Sequence, residues 1–154
     1  MTFSPLIPRR QLALLWITCT IAAGCQPAGE ADMELTQALT QAAERVAPGQ
    51  VLSLDKVVTQ PWDHVLLVGP YTPNDLMQKA VGGTLPAALE RIEIDKRDDV
   101  NAVVFMLDGK ASAAVALPRR VADFRKTDLM RPIPRQQAQL VRAASGVDFR
   151  WQTP

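Results

Sequence analysis

The chain has 154 residues with 17 Lys/Arg, 16 Asp/Glu and one His, a formal charge of +1. That balance gives no electrostatic footprint for nucleic acid, and none is expected as a partner. The two cysteines, Cys19 and Cys25, both lie near the start, which excludes a disulfide framework and a cysteine zinc site in the rest of the chain.

The first segment reads as an address. Met1 to Arg10 carry Arg9 and Arg10 and no acidic residue, and the apolar run Leu12 to Ala23 follows. About a dozen apolar residues fall short of the roughly 20 that span a hydrocarbon core. The order of charged, apolar and small residues is that of an export signal. Ala22-Ala23-Gly24-Cys25 resembles the lipobox of bacterial lipoproteins, whose usual first residue is Leu. The resemblance covers residues 1–26 and implies removal of residues 1–24, attachment of a diacylglyceryl group to the Cys25 thiol, and acylation of its new amino end. Each buried methylene contributes about 0.8 kcal/mol, so two or three acyl chains on one residue make a lasting anchor. Gln26 stands where Asp resembles an inner-membrane retention signal in Gram-negative lipoproteins, which favours the outer membrane, facing the periplasm. Ala22 and Gly24 also satisfy the small-x-small rule of ordinary cleavage, whose product would be a soluble secreted protein.

Cys25 to Pro154 leave 130 residues, enough to bury a core without staples. Residues 25–31 read as the lipidated cysteine and a tether, and residues 32–154 as one globular domain. Asp32 is placed to cap a helix from Met33 to Ala47, in which Leu35, Leu39, Ala42, Ala43 and Val46 keep helical spacing and Pro48-Gly49 ends the pattern. Val51–Val58 and Asp63–Gly69 read as strands. Thr72 is placed to cap a helix with Pro73 in its first position, running to Val81 before Gly82-Gly83. Thr84–Glu90 suits a further helical turn, and the alternation around Ile92 and Ile94 suggests a strand over Arg91–Asp95. Asn101–Leu107 and Lys110–Leu117 flank Asp108-Gly109, the favoured two-residue hairpin turn. Residues 119–134 read as irregular, Arg135–Ala144 as a helix stopped by Gly146, and Val147–Trp151 as a last strand. Helices and hairpin strands without regular alternation predict an α+β fold, a mostly antiparallel sheet with helices packed on one face, after the cleaved N-terminal signal helix.

The richest stretch for chemistry is Pro61 to Pro73, which holds Trp62, Asp63, His64 and Tyr71. It resembles segments of small uncharacterised bacterial lipoproteins in which Trp-Asp leads into a strand and Gly-Pro-Tyr into a helix, a resemblance that implies no activity. Its structural reading makes Trp62 the anchor of a strand end, Gly69-Pro70 a turn, and Tyr71 a residue packed beside a helix start. His64 with Asp63 is also the residue pair a small periplasmic hydrolase would use, because imidazole titrates near neutrality. The later serines, Ser53, Ser112 and Ser145, lie in no nucleophile elbow, so no catalytic residue is assigned. Asp95, Asp98, Asp99 and Asn101 cluster without the pattern of a calcium loop, and neither a metal nor a cofactor is expected.

Charge is unevenly spread. Residues 26–117 carry 7 Lys/Arg against 13 Asp/Glu, and residues 118–154 carry 8 against 3. Arg119, Arg120, Arg125 and Lys126 therefore form a candidate contact surface for anionic lipid or an acidic envelope partner, at about 1 kcal/mol per basic residue near a charged surface. The competing reading pairs these cations with carboxylates of the same chain. The sequence thus predicts an envelope protein anchored through Cys25, acting by binding or assembly.

Overall fold

The computed structural model describes residues 28–125, 127–144 and 146–152. Their element order is α1 (Ala28–Arg45), β1 (Val51–Ser53), α2 (Leu54–Val57), β2 (His64–Val68), α3 (Asn74–Ala80), α4 (Ala87–Ile92), β3 (Val100–Leu107), β4 (Lys110–Pro118), β5 (Ile133–Pro134), β6 (Gln139–Arg142) and β7 (Phe149–Trp151). Two sheets form, with strand orders β4-β3-β2-β5 and β1-β6-β7, and the pairs named within each are antiparallel. The fold is α+β.

Binary patterning explains the layers. β2 and β3 are apolar on both sides, so the larger sheet is buried on both faces. Val65, Leu67, Val103 and Phe105 point into one core, shared with Leu35, Leu39 and Ala43 of α1 and with Leu52, Leu140 and Phe149 of the smaller sheet. Leu66, Val68, Val104 and Met106 point into the other, shared with Met77 and Val81 of the α3 segment and Leu89 and Ile92 of α4. Helices therefore cover both faces, where the sequence suggested one. Each fully buried aliphatic or aromatic side chain contributes roughly 1.5–3 kcal/mol by leaving water.

The β3–β4 hairpin forms as expected. Asp108 and Gly109 take φ of 52° and 74°, the double left-handed turn that matches strand twist. Phe105 pairs with Ala113 and Met106 with Ala111, so Ser112 is the extra residue of a bulge. Its hydroxyl donates to the Phe105 carbonyl at 3.1 Å.

Several local expectations give way to tertiary demands. α1 starts at Ala28, so Asp32 lies inside it and caps nothing; its carboxylate instead accepts from Arg91 at 3.1 Å. The strand expected over Val51–Val58 stops at Ser53, because Leu54 and Val58 turn into the core through the single helical turn of α2. Thr72 is not a helix cap: its hydroxyl donates to the Gly69 carbonyl at 2.7 Å, and Pro73 takes the cap position. Ile92 and Ile94 do not alternate in a strand. Glu93 adopts φ of 50° between them, which ends α4 and starts a 3-10 turn, so both isoleucines enter the same core. Residues 135–144 are not a helix; after a 3-10 turn at Arg135–Gln137, the chain pairs with β1 and β7 as β6.

Candidate functional site

Asp63 and His64 enter the larger sheet at the end that carries the hairpin tip. Trp62 anchors this point, buried edge-on to Phe105 with ring centroids 5.3 Å apart. Arg135 lies over the indole, 5.0 Å from its centroid, and its guanidinium also pairs with Asp55. Asp63 Oδ1 meets His64 Nδ1 at 3.0 Å, and Asp63 Oδ2 accepts the Asp108 backbone N–H at 2.9 Å. The hydrogen bond from His64, then the one from Asp108, holds the Asp63 carboxyl below its ordinary pKa. Asp63 Oδ2 thus ties the hairpin tip to the start of β2, while Oδ1 holds the neighbouring imidazole. The His64 side chain is 45% exposed. Ser112 is committed to Phe105, Ser53 pairs with Gln139 in the other sheet, and Ser145 lies outside the described residues.

The basic segment resolves into unlike residues. Asp123, only 4% exposed, organises it. Arg119 donates to Asp123 Oδ2 through Nη2 at 3.0 Å and through Nη1 to the Asp98 carbonyl at 2.5 Å. Arg125 donates to the same carboxylate twice, from its backbone N–H at 3.0 Å and from Nε at 2.8 Å. Burial pushes the Asp123 carboxyl up, but the hydrogen bond from Arg119, the Arg125 N–H and the two guanidinium charges together hold it below its ordinary value. Arg119 is half-buried, whereas Arg125 keeps most of its side chain in water and Arg120 is exposed. Arg131 pairs with Asp128 at 3.1 Å. Lys126 lies outside the described residues. The structure thus brings Arg119 and Arg125 together through Asp123, and leaves Arg120 beside them on the surface.

Asp123 was not legible as an organiser. Its only sequence signal is an acidic residue isolated within a basic run. The backbone completes the arrangement: Asp123 bridges to Asp148, and the Asn101 side-chain amide donates to the Ala122 carbonyl at 2.9 Å from beneath. Asn101 is therefore a core residue of β3 and not part of an acidic loop, while Asp99 is bound by Arg97 at 2.6 Å. Among the described residues, no group of three His, Cys, Asp or Glu is arranged to hold a metal ion.

Tyr71 also departs from expectation. It is 60% exposed and its φ is 57°, so most of the residue faces solvent. Cys25 lies outside the described residues, and among those described no helix is long and apolar enough to cross a membrane. No protein-family model, curated protein or solved structure matches the chain.

Proposed function

We propose that the chain is the precursor of a bacterial lipoprotein. Residues 1–24 are its signal peptide, Cys25 carries the lipid, and the folded part is held at the outer membrane facing the periplasm. The observation that carries this reading is Ala22-Ala23-Gly24-Cys25 behind a charged start and a short apolar run. The folded part acts by binding or assembly in the envelope. Support comes from the commitments of the polar groups. Asp63 Oδ2 is bound by the Asp108 N–H of the hairpin end, and the Ser112 hydroxyl is bound to the Phe105 carbonyl. Among the described residues of the basic segment, Arg120 and the exposed guanidinium of Arg125 are placed to meet an anionic lipid or an acidic partner.

The test follows the processing chemistry. In a Gram-negative host the wild-type chain should gain acyl mass at Cys25, lose residues 1–24, and accumulate unprocessed under globomycin. A wild-type protein that lacks acyl mass and is released into the soluble fraction would overturn the proposal in favour of ordinary secretion.

A further inference from the structure

We propose that the end of the fold at which α1 begins is its bilayer-facing end, and that Tyr71 and Met33 meet the lipid interface there. The proposal rests on the lipoprotein reading of Cys25 and adds an orientation and two contact residues to it.

The first support is reach. Three residue steps separate Cys25 from Ala28, the first residue of α1. At no more than about 3.6 Å per residue, they span about 11 Å at most. A lipid on Cys25 thus keeps the start of α1 within about 11 Å of the lipidated residue, close to the headgroups.

The second support is what shares that end. β2 finishes, β3 starts and β4 finishes together, as the pairings Val68↔Ala102 and Val100↔Pro118 show. The first turns of α1 join them: Asp32 pairs with Arg91, and Asp32 and Met33 border one surface hollow with Ile92, Arg97 and Ala116. Tyr71 is tied to the same end through its backbone N–H, which donates to the Ile94 carbonyl at 2.8 Å. Among the described residues five large apolar side chains are exposed: Met33, Val51, Tyr71, Leu76 and Leu107. Met33, at 68%, and Tyr71 lie at this end, and Leu76 is in the α3 turn that follows Tyr71, whereas Leu107 adjoins the hairpin tip at the other end.

The third support is the backbone of Tyr71. An aromatic residue with positive φ is an outlier, and such conformations persist where the surrounding structure enforces them. Here the Ile94 bond and the Thr72–Gly69 hydrogen bond pin the turn and hold the ring outward. An outward tyrosine suits an interface, with an apolar ring and a polar hydroxyl at headgroup depth. Of the charges at this end, Arg91 pairs with Asp32, Lys96 with Glu93 and Arg97 with Asp99, while Asp95, Asp98 and the exposed Arg120 lie beside them. The contact proposed here is that of the apolar and aromatic side chains, and zwitterionic lipid tests it apart from any attraction of Arg120 to anionic lipid.

The acylated protein offers a direct test, because Cys19 leaves with the signal peptide and Cys25 is a thioether. Met33→Cys, Tyr71→Cys and Lys110→Cys each supply one thiol for an environment-sensitive fluorophore, read in zwitterionic vesicles after acyl mass has been verified. Labels at 33 and 71 should be quenched by brominated lipid and shielded several-fold from an aqueous quencher, relative to the label at 110. Equal aqueous access at 71 and 110 on acylated protein would overturn the orientation. Wild-type chain without acyl mass would instead overturn the lipoprotein reading, and this proposal with it. Tyr71→Gly separates contact from folding. It should leave the melting temperature unchanged or higher, since glycine accepts the positive φ, while raising aqueous access of a label at 33; unchanged access would overturn the role of Tyr71.

Discussion

Asp123 is a buried carboxylate that receives two arginines and a backbone N–H. Asp123→Asn keeps the shape but leaves two guanidinium groups without their anion. Both can still reach water, so the expected loss is about 2–3 kcal/mol, measurable by denaturant unfolding. The pH dependence has a definite sign. The folded pKa lies below the ordinary 3.8, so the stabilisation is complete above that value and is lost as pH falls through the folded pKa. Acid unfolding of the wild type should therefore contain a component below pH 3.8 that Asp123→Asn lacks. Single replacements divide the basic segment: Arg119→Gln should lower stability by about 1–2 kcal/mol, whereas Arg120→Gln should change it by less than about 0.5 kcal/mol. Equal effects would show that Arg119 is an ordinary surface cation. Gly82 is the other sensitive position. Its φ is 76°, and a Cβ there would sit 2.5 Å from the Gly109 carbonyl oxygen, at the hairpin turn. Gly82→Ala should cost about 2 kcal/mol or more through left-handed strain and backbone displacement, read as a lowered melting temperature.

At the scale of elements, α1 is the cover of the first core. Leu35, Leu39 and Ala43 recur at i, i+4 and i+8, and all three are buried. Leu39→Ala should cost about 2–5 kcal/mol, because the cavity opens against a sheet that cannot collapse into it. A value near zero in urea unfolding would show that α1 frays from the sheet. The hairpin end is closed from two sides. Asp63 accepts the Asp108 N–H and its own N–H donates to the Met106 carbonyl, and Gly82 lies so near the turn that a Cβ on it would meet the Gly109 carbonyl oxygen. Asp63 therefore has a structural task at the hairpin end, while His64 beside it stays 45% exposed.

For the molecule as a whole, the cysteine distribution yields a decisive prediction. Cys25→Ser removes the only sulfur that a lipid on this residue can use, so the variant should leave the membrane fraction and carry no acyl mass. A variant that still sediments with the outer membrane would show another attachment. The part from Gln26 onward contains no cysteine, so its melting temperature should not respond to reductant. A chelator should leave it unchanged as well, and a fall of several degrees would reveal a metal site.

The sequence by itself determined the elements whose causes are local. The spacing of Leu35, Leu39 and Ala43 specifies α1, Asp108-Gly109 specifies the hairpin, and the apolar run Val65–Val68 specifies a buried strand. Together they are enough for the α+β class. Tertiary structure decided the rest, for reasons that no short window contains. Ile92 and Ile94 alternate like a strand, yet a left-handed Glu93 sends both into one core. Residues 139–142 are too short to declare their state until β1 and β7 offer partners. Whether a cation is surface or structure depends on a carboxylate brought beneath it, and so Arg119 and Arg120, adjacent in sequence, have different fates. Helices lie on both faces of the larger sheet because β2 and β3 are apolar on both sides, and the desolvation of two apolar faces is satisfied only when both are covered.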